Sequence, residues 1–269
     1  MAAPLVFDKR PRWVLVLLDS VVMVKRSSTH IVRNTDQLLG TFFQPIMFLV
    51  LFAAVFGGAI SKTLPPGVSY LNFLLAGILV QTLAFGSTTT AIAIANDLQK
   101  GIVDRFRSLP MANLAVLNGH VISDLLRNGI STIVMITTGL LLGFRSSASV
   151  GDWLLVVAIL LLFTLAFSWL GAIMGTVAKS VEGVQWLSFV IVFPLTFASS
   201  AFVPTEGMSK YLKIFAENQP LTHIIEAVRA LILQRPIGNH GWLAVAWCVG
   251  TIIVAMPIAS WLFRRKTAN

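Results

Sequence analysis

Charged residues are scarce in this sequence. Only 12% of its 269 residues are Asp, Glu, Lys or Arg, whereas 56% are hydrophobic. A soluble domain carries about 25% charged residues, which it needs to cover a surface that faces water. The composition therefore excludes a soluble globular enzyme, a disordered chain and a small disulfide-stabilised secreted domain, and it indicates an integral membrane protein.

Cysteine and histidine are scarce as well. The single cysteine, Cys248, excludes an internal disulfide and any metal site built from several thiolates. The four histidines are too scattered along the chain to have the spacing of a metal centre. The sequence therefore predicts no metal site, no catalytic residue and no cofactor bound by this chain.

Motifs for nucleotide binding and hydrolysis are absent from the sequence. No Gly-Lys dipeptide occurs, which excludes the phosphate-binding loop G-x-x-x-x-G-K-[ST]. The hydrolase motif G-x-S-x-G and the metalloprotease motif H-E-x-x-H do not occur either. We therefore expect no ATPase site of this kind in the chain.

Long apolar runs are the main feature of the sequence. A helix needs about 20 apolar residues to cross the hydrocarbon core, and six runs reach or approach this length without an acidic or basic residue. Barrel strands are shorter and alternate in polarity, so these runs indicate helices. The prediction is an all-α integral membrane protein with six transmembrane helices, over residues 38–60, 70–95, 128–144, 153–178, 184–202 and 242–263.

The third run is the shortest of the six. An earlier start at Val121 would lengthen it, but would bring Asp124 and Arg127 into the span. The runs leave no room for a separate soluble domain. Residues 38–263 are therefore predicted to form one six-span domain, which lies between an N-terminal segment, 1–37, and a short C-terminal tail, 264–269.

The net charge of +9 is explained by orientation in the membrane. With the N-terminus inside, fourteen of the 20 Lys and Arg residues flank the spans on the inner side and six on the outer side. Cytoplasmic loops of membrane proteins carry such an excess of basic residues. The bias predicts that both termini are cytoplasmic, and it accounts for the positive charge better than nucleic-acid binding does.

A short apolar stretch precedes the first span. Residues 13–24 are bounded by Arg12 and Lys25, which is typical of an interfacial helix on the inner leaflet. A signal peptide is the competing interpretation. It is disfavoured because Asp19 interrupts the apolar stretch and no small-x-small cleavage site follows.

The inner loop 96–127 is rich in charge. Its first part, 97–109, predicts a short helix that Pro110 terminates. On such a helix Asp97, Gly101 and Asp104 share one face, and an apolar set ending at Leu109 forms another. A helix of this kind is suited to docking on a soluble partner. A solvated loop that only supplies positive charge is equally consistent with the pattern.

The outer segment 203–241 is long and divided by prolines. Apolar residues recur at helical spacing over 221–233, a length too short to cross the membrane. Either a helix that dips into the outer leaflet and returns, or an amphipathic helix resting on the surface, fits this pattern. Glu226 and Arg229 lie three residues apart on the polar face, a spacing at which they would pair.

The confident spans contain no charged residue, which counts against a carrier driven by protons or sodium, because such carriers use intramembrane carboxylates. Two G-x-x-x-G patterns, Gly139 to Gly143 and Gly171 to Gly175, fit either packing within the chain or dimerisation. The hydroxyl run 87–90 either lines a polar path or bonds to its own helix carbonyls.

Three separated motifs occur in order along the six predicted spans. The chain reads Arg-Asn-Thr-Asp at 33–36, it reads D-x-x-x-G-x-x-x-R-x-R-S-L-P over 97–110, and a third motif follows the fifth span at 218–231. In these motifs the chain resembles type-2 ABC export permeases. That family tends to have Pro in place of Thr35, and it often lacks the residue that Gln219 inserts between Asn and Pro. The resemblance covers nearly the whole chain and is closest to the daunorubicin-resistance branch.

The resemblance implies the permease half of an exporter. Family members pair two permease chains with two separate ATP-binding subunits, so the implied partners are an ABC ATPase dimer that holds ATP and Mg²⁺, a second permease chain and membrane lipids. The implied location is the plasma membrane of a prokaryote. Family substrates include hydrophobic drugs, lipids and lipid-linked glycans, and the apolar spans favour an amphipathic or lipid-like compound.

The resemblance also implies roles for particular residues. Segment 97–110 would be a coupling helix pushed by the ATPase, and 203–241 a re-entrant hairpin that narrows the outer exit and carries Glu226 and Arg229. The residues expected to contact the ATPase are Asp97, Gly101, Asp104, Arg105, Arg107, Leu109 and Pro110. The candidate pathway residues are Gln44, Gln81, Thr88 and Phe197.

Other classes of protein remain as alternatives. A self-contained secondary carrier would follow an ion gradient and ignore ATP depletion. A structural membrane subunit of an enzyme complex and an export permease for lipid-linked polysaccharide are the others. A membrane-embedded enzyme is disfavoured, because Asp97, Asp104 and His120 lie on one predicted loop but no reaction motif joins them.

Overall fold

The structure, a computed structural model, describes residues 35–65, 67–101 and 113–268. This part of the chain is helical, with a single 3₁₀ turn at Thr205–Gly207 and no strand. The helices are α1 (Thr35–Ile60), α2 (Tyr70–Gln99), α3 (Asn113–Leu141), α4 (Val150–Val177), α5 (Val181–Phe197), α6 (Lys210–Asn218), α7 (Pro220–Ile232) and α8 (His240–Ala268).

Four of these helices are long and apolar enough to cross a membrane: α1, α2, α4 and α8. The apolar helix α5 is shorter, at 17 residues. Helix α3 is long but less apolar, because its middle carries Asp124, Arg127 and Asn128. The predicted class, an all-α membrane protein, is confirmed, whereas the count of six spans stays a prediction.

Helix α2 is the centre of the bundle. It packs against α1, α3, α4, α5 and α7, and 61% of its most apolar window is buried, against 6% for α1. Its buried residues lie on every side of the helix, which is the pattern of a helix surrounded by others. Helix α1 lies at the edge, with most of its apolar surface free to face lipid or another chain.

Glycines allow α2 and α4 to approach closely. A Cβ atom at Gly171 would lie 2.4 Å from the carbonyl oxygen of Ser87, and one at Gly175 would lie 2.3 Å from that of Ala91. The contacts are to backbone, so the helices touch where a side chain would separate them. The second G-x-x-x-G pattern therefore serves packing within the chain.

We expect Gly175→Ala to lower the free energy of unfolding by about 1–3 kcal/mol, because the new methyl group meets the α2 backbone, which cannot turn aside. Gly129→Ala on α3 is the matched control, since nothing lies within 4 Å of the position that a Cβ atom would take there. At this position the change should stabilise by up to about 1 kcal/mol through helix propensity. Unfolding in SDS measures both, and the same sign for the two variants would contradict the packing described.

The structure corrects two predicted boundaries. The third apolar helix begins at Asn113, well before residue 128, and so contains His120, Asp124 and Arg127. Helix α2 continues to Gln99 instead of ending at residue 95. Asp97 therefore lies on α2 and does not begin a separate short helix over 97–109.

Helix α7 confirms the helical pattern seen over 221–233. Pro220 stands at its first position, where the missing N–H costs no hydrogen bond. Its apolar residues are buried against α8, α4 and α2. The helix is therefore inserted into the bundle and does not rest on its surface.

Candidate functional site

One end of the bundle, here called the loop end, carries the junction between α2 and α3. Gly101, at φ +63°, ends α2 in the left-handed region that favours glycine. Residues 102–112 follow, and the predicted ATPase contacts Asp104, Arg105, Arg107, Leu109 and Pro110 lie outside the described residues. Of the predicted set, the structure places Asp97 and Gly101.

Asp97 is held at the base of this junction. Its Oδ2 atom lies 3.0 Å from Nε2 of His120 on α3, and the residue is only 9% exposed. The pair joins α2 to α3 on either side of segment 102–112. Asp97 therefore fixes the base of the segment rather than projecting from it. The sequence alone assigns no such role to His120, because its partner lies on another helix.

The other helix ends at the loop end are tied together by hydrogen bonds. Gln99 Nε2 donates to the carbonyl of Lys179, between α4 and α5, over 3.1 Å. Lys266 Nζ donates to the carbonyls of Thr176 and Ala178 at 2.6 and 2.9 Å, at the end of α4. The ends of α2, α4 and α8 are thus joined by hydrogen bonds at the end of the bundle where α2 terminates.

The opposite end of the bundle, the hairpin end, is organised around Arg229 on α7. Its guanidinium donates to the carbonyls of Phe73 (3.2 Å) and Ser200 (2.7 Å). It also pairs with Glu226 and lies 3.6 Å from the centre of the Phe73 ring. At 4% exposed, Arg229 is a buried cation whose donors reach two other parts of the chain.

The turn that follows α5 receives further hydrogen bonds. Tyr70 donates its hydroxyl to the carbonyl of Phe202 at 3.0 Å, and Gln219 Nε2 donates to that of Ala198 at 2.6 Å. Together with Arg229, these bonds hold the turn, α7 and the start of α2 in one arrangement. The hairpin end is therefore fastened by polar side chains that lie far apart in the sequence.

Two histidines meet where α7 faces α8. Their Nδ1 atoms, in His223 and His240, are 3.0 Å apart, so at least one ring is neutral when the contact forms. Burial, with a smaller contribution from the His240 ring, lowers the pKa of His223 below its usual 6.5. The folded chain therefore resists protonation of His223.

We expect stability to fall as the pH drops below 6.5. The unfolded chain then takes up a proton at His223 that the folded chain does not, so acid favours unfolding until the lowered pKa of the folded state is reached. The thermal unfolding temperature, measured from about pH 7.5 to about pH 5, tests this, because an ordinary histidine titrates within this range. His223→Gln should flatten the profile, and an equal slope in the variant would contradict the assignment.

The four candidate pathway residues occupy different surroundings. Gln44 is exposed on α1, whereas Gln81 is 4% exposed inside the bundle on α2. Thr88 is partly buried, and its hydroxyl has no hydrogen-bond partner among the described residues. Phe197 is partly buried at the end of α5. The structure brings only Phe197 into a continuous set of side chains.

That set is a series of aromatic rings, each in contact with the next, with all but the Phe197–Phe202 pair stacked. Along α5, the ring centroids of Phe189 and Phe193 are 4.8 Å apart, and those of Phe193 and Phe197 are 4.2 Å apart. Phe202 continues the series at 4.7 Å from Phe197, and Phe52 on α1 lies 4.7 Å from Phe202. Phe189 and Phe193 are exposed at the surface of the chain. This aromatic series therefore connects α5 to α1, and it runs from exposed rings on α5 to the buried ring of Phe202.

An ion pair lies within α3, just before the predicted span 128–144. Arg127 pairs with Asp124, whose carboxylate also accepts from the hydroxyl of Ser168 on α4. Arg127 Nη2 donates to the carbonyl of Gly86 on α2 at 2.8 Å. The predicted span 128–144 itself holds no charged residue, and the ion pair lies in the part of α3 that precedes it. Because Asp124 is already paired, it is not a free relay carboxylate of the kind that coupled carriers use.

No group of three His, Cys, Asp or Glu residues in the described ranges is placed to hold a metal ion. Cys248 is buried on α8. The candidate functional features of the described residues are their two hydrogen-bonded ends, their aromatic series and their buried ion pair.

Comparison with known proteins identifies the family. Residues 20–233 match the family described as ABC-2 type transporter. A daunorubicin resistance ABC transporter permease protein of Streptomyces coeruleorubidus is 32% identical over 87% of this chain and 81% of its own length. The chain belongs to the ABC-2 type transporter family, and it is a multi-pass membrane protein.

Two further relatives show the breadth of the family. A probable doxorubicin resistance ABC transporter permease protein of Mycobacterium tuberculosis is 25% identical over 94% of this chain and 91% of its own length. Nodulation protein J of Rhizobium leguminosarum bv. viciae is 24% identical over 85% of this chain and 87% of its own length. The similarity in each case extends over most of the bundle.

Proposed function

We propose that this chain is the permease subunit of an ATP-driven exporter, which works with a second permease copy and a dimer of separate ATPase subunits. The proposed location is the plasma membrane of a prokaryote, with both termini in the cytoplasm. Membership of the ABC-2 family is the observation that carries the proposal. The lack of a phosphate-binding loop supports a separate source of ATP hydrolysis.

The loop end supports a coupling role for segment 97–110. This segment leads from the end of α2 directly into α3, and Asp97 and His120 brace its base. A push from an ATPase on residues 102–112 would therefore reach both helices. Hydrogen bonds from Gln99 and Lys266 would carry the movement to α4 and α8.

The hairpin end supports a role at the outer exit. We propose that α6 and α7 form a re-entrant hairpin, because α7 is too short to cross a membrane and is nevertheless buried in the bundle. Non-spanning structure at membrane depth requires its backbone to be buried in protein. Arg229 and Glu226 would then hold the hairpin against α2 while the path opens beside it.

The aromatic series supports an amphipathic or apolar substrate. The exposed rings of Phe189 and Phe193 offer apolar surface to a drug, lipid or glycolipid that carries apolar or aromatic parts. Two relatives are named for resistance to daunorubicin and doxorubicin. In this proposal the path lies between two permease copies, with Gln44 and Phe197 nearest to it and Gln81 and Thr88 behind them.

ATP hydrolysis in liposomes tests the coupling role. We expect the partner ABC ATPase to hydrolyse ATP faster when it is assembled with this chain. In the Arg105→Ala, Arg107→Ala variant the affinity for the ATPase should fall by about a hundredfold or more, because two charged hydrogen bonds are lost and each is worth about 1.5–3 kcal/mol.

Lys62→Ala is the control, since Lys62 follows α1 at the hairpin end and its loss should change neither association nor hydrolysis. Normal association and hydrolysis in the double arginine variant would refute the coupling assignment. If the two wild-type proteins neither associate nor alter each other's activity, the proposed function itself fails.

A further inference from the structure

A polar seam runs between α2, α3 and α4 inside the bundle. On α3, Asp124, Asn128 and Ser131 follow one another at spacings of four and three, so their side chains share one face of the helix. Each is 1% exposed. This face meets Gly86 of α2 and Ser168 of α4. The seam is polar, yet it is closed off from the surface of the chain.

Gly86 makes room for the seam. A Cβ atom at this position would lie 2.4 Å from Oδ1 and 2.8 Å from Nδ2 of Asn128, so any larger residue would displace the amide. The carbonyl of Gly86 accepts from Arg127 Nη2 at 2.8 Å. The amide of Asn128 and the guanidinium of Arg127 are therefore held side by side against α2.

Several polar atoms of the seam have no protein partner. Within the described part of the chain, neither amide atom of Asn128 makes a hydrogen bond, and the same holds for Ser131 Oγ and Arg127 Nε. Burying such groups without a partner costs several kcal/mol in total, even at about 1–3 kcal/mol each. In a membrane bundle, bulk water cannot supply the missing bonds.

We propose that the seam is a binding site for ordered water molecules, which bridge Asn128, Ser131 and Arg127 Nε. The unpartnered atoms include donors (Nδ2 and Nε), an acceptor (Oδ1) and a hydroxyl that is both, and water is the small ligand that satisfies this mixture. An ion is not called for, because Asp124 and Arg127 already balance each other's charge. A lipid or drug is excluded by the burial of the site.

X-ray radiolytic labelling tests the proposal on the full-length chain in lipid nanodiscs. Hydroxyl radicals formed from a bound water oxidise the side chains beside it, even where these are buried. Met135, one turn beyond Ser131 on the same face of α3, is the reporter, and Met174 on α4 is its matched reference. Both are buried, at 2% and 7% exposed. We expect Met135 to be oxidised several-fold faster than Met174.

Removing the polar groups of the seam should abolish the binding of water there. In the Asn128→Leu, Ser131→Ala variant, Met135 should be oxidised at the rate of Met174. Thr164→Val is the control, because the Thr164 hydroxyl is buried but already donates to its own helix at Leu160. That variant should leave the rate at Met135 unchanged.

Two results would overturn the proposal. One is oxidation of Met135 no faster than that of Met174 in the wild type, a comparison that holds even if the double variant does not fold. The other is a folded Asn128→Leu, Ser131→Ala variant in which the rate at Met135 does not change. Neither readout depends on transport, so the water site and the proposed function stand or fall separately.

Discussion

Asp124→Ala is expected to lower the free energy of unfolding by about 3–5 kcal/mol, because it leaves the buried charge of Arg127 without its partner. Arg127 is 5% exposed, and it lies between the α2 backbone and the polar side chains of the seam. Bulk water cannot reach the uncompensated cation without opening the contact between α2 and α3, and a few ordered water molecules do not replace the charge of a carboxylate. The fraction folded as a function of SDS concentration measures the loss.

A second variant separates the lost charge balance from lost packing. Asp124→Leu combined with Arg127→Met removes both charges and keeps the volume, so most of the stability should return. The exposed pair Lys213–Glu217, with side chains 40% and 46% exposed, is the control. Glu217→Ala should change stability by less than about 1 kcal/mol. Equal effects of Asp124→Ala and Glu217→Ala would show that the α3 pair is not buried as described.

The class of the fold could be predicted because it depends on local composition. Run length and the lack of charge identify membrane helices whatever their neighbours are. The helix over 221–233 was equally accessible, because its apolar spacing is set within a single segment. Its burial among α2, α4 and α8 was not, since the choice between surface and interior depends on which faces of those helices are unoccupied.

The polar contacts between distant segments could not be predicted, for a related reason. Arg127 meets Gly86 across 41 positions of sequence, and Arg229 meets Phe73 across 156. Contacts between residues so far apart in the sequence produce no recognisable pattern in either segment. In the sequence, Asp124 and Arg127 indicate the boundary of a span because they are charged. In the folded bundle they lie inside α3 and form an ion pair with each other. From the sequence alone, a Lys or Arg that flanks a span cannot be distinguished from one that lies inside a span, because its partner is not known.

The same long-range bonding makes Arg229 the residue on which the hairpin end depends most. Its donors reach the carbonyls of Phe73 and Ser200, and its cation lies over the Phe73 ring. We expect Arg229→Ala to cost about 3 kcal/mol, at the lower end for a broken buried pair, because the Glu226 side chain is 30% exposed and keeps part of its hydration. Thermal unfolding measures the loss.

Arg229→Lys should recover little of this stability. A lysine ammonium is a compact point charge, whereas the planar guanidinium spans two carbonyls and Glu226 at once and also stacks on a ring. Arg235, just beyond α7, is exposed and provides the control, since Arg235→Ala should change stability by no more than about 0.5 kcal/mol. Full recovery in Arg229→Lys would mean that charge alone holds the hairpin end. In that case the planar geometry of the guanidinium would be irrelevant to how α7 is held against α2.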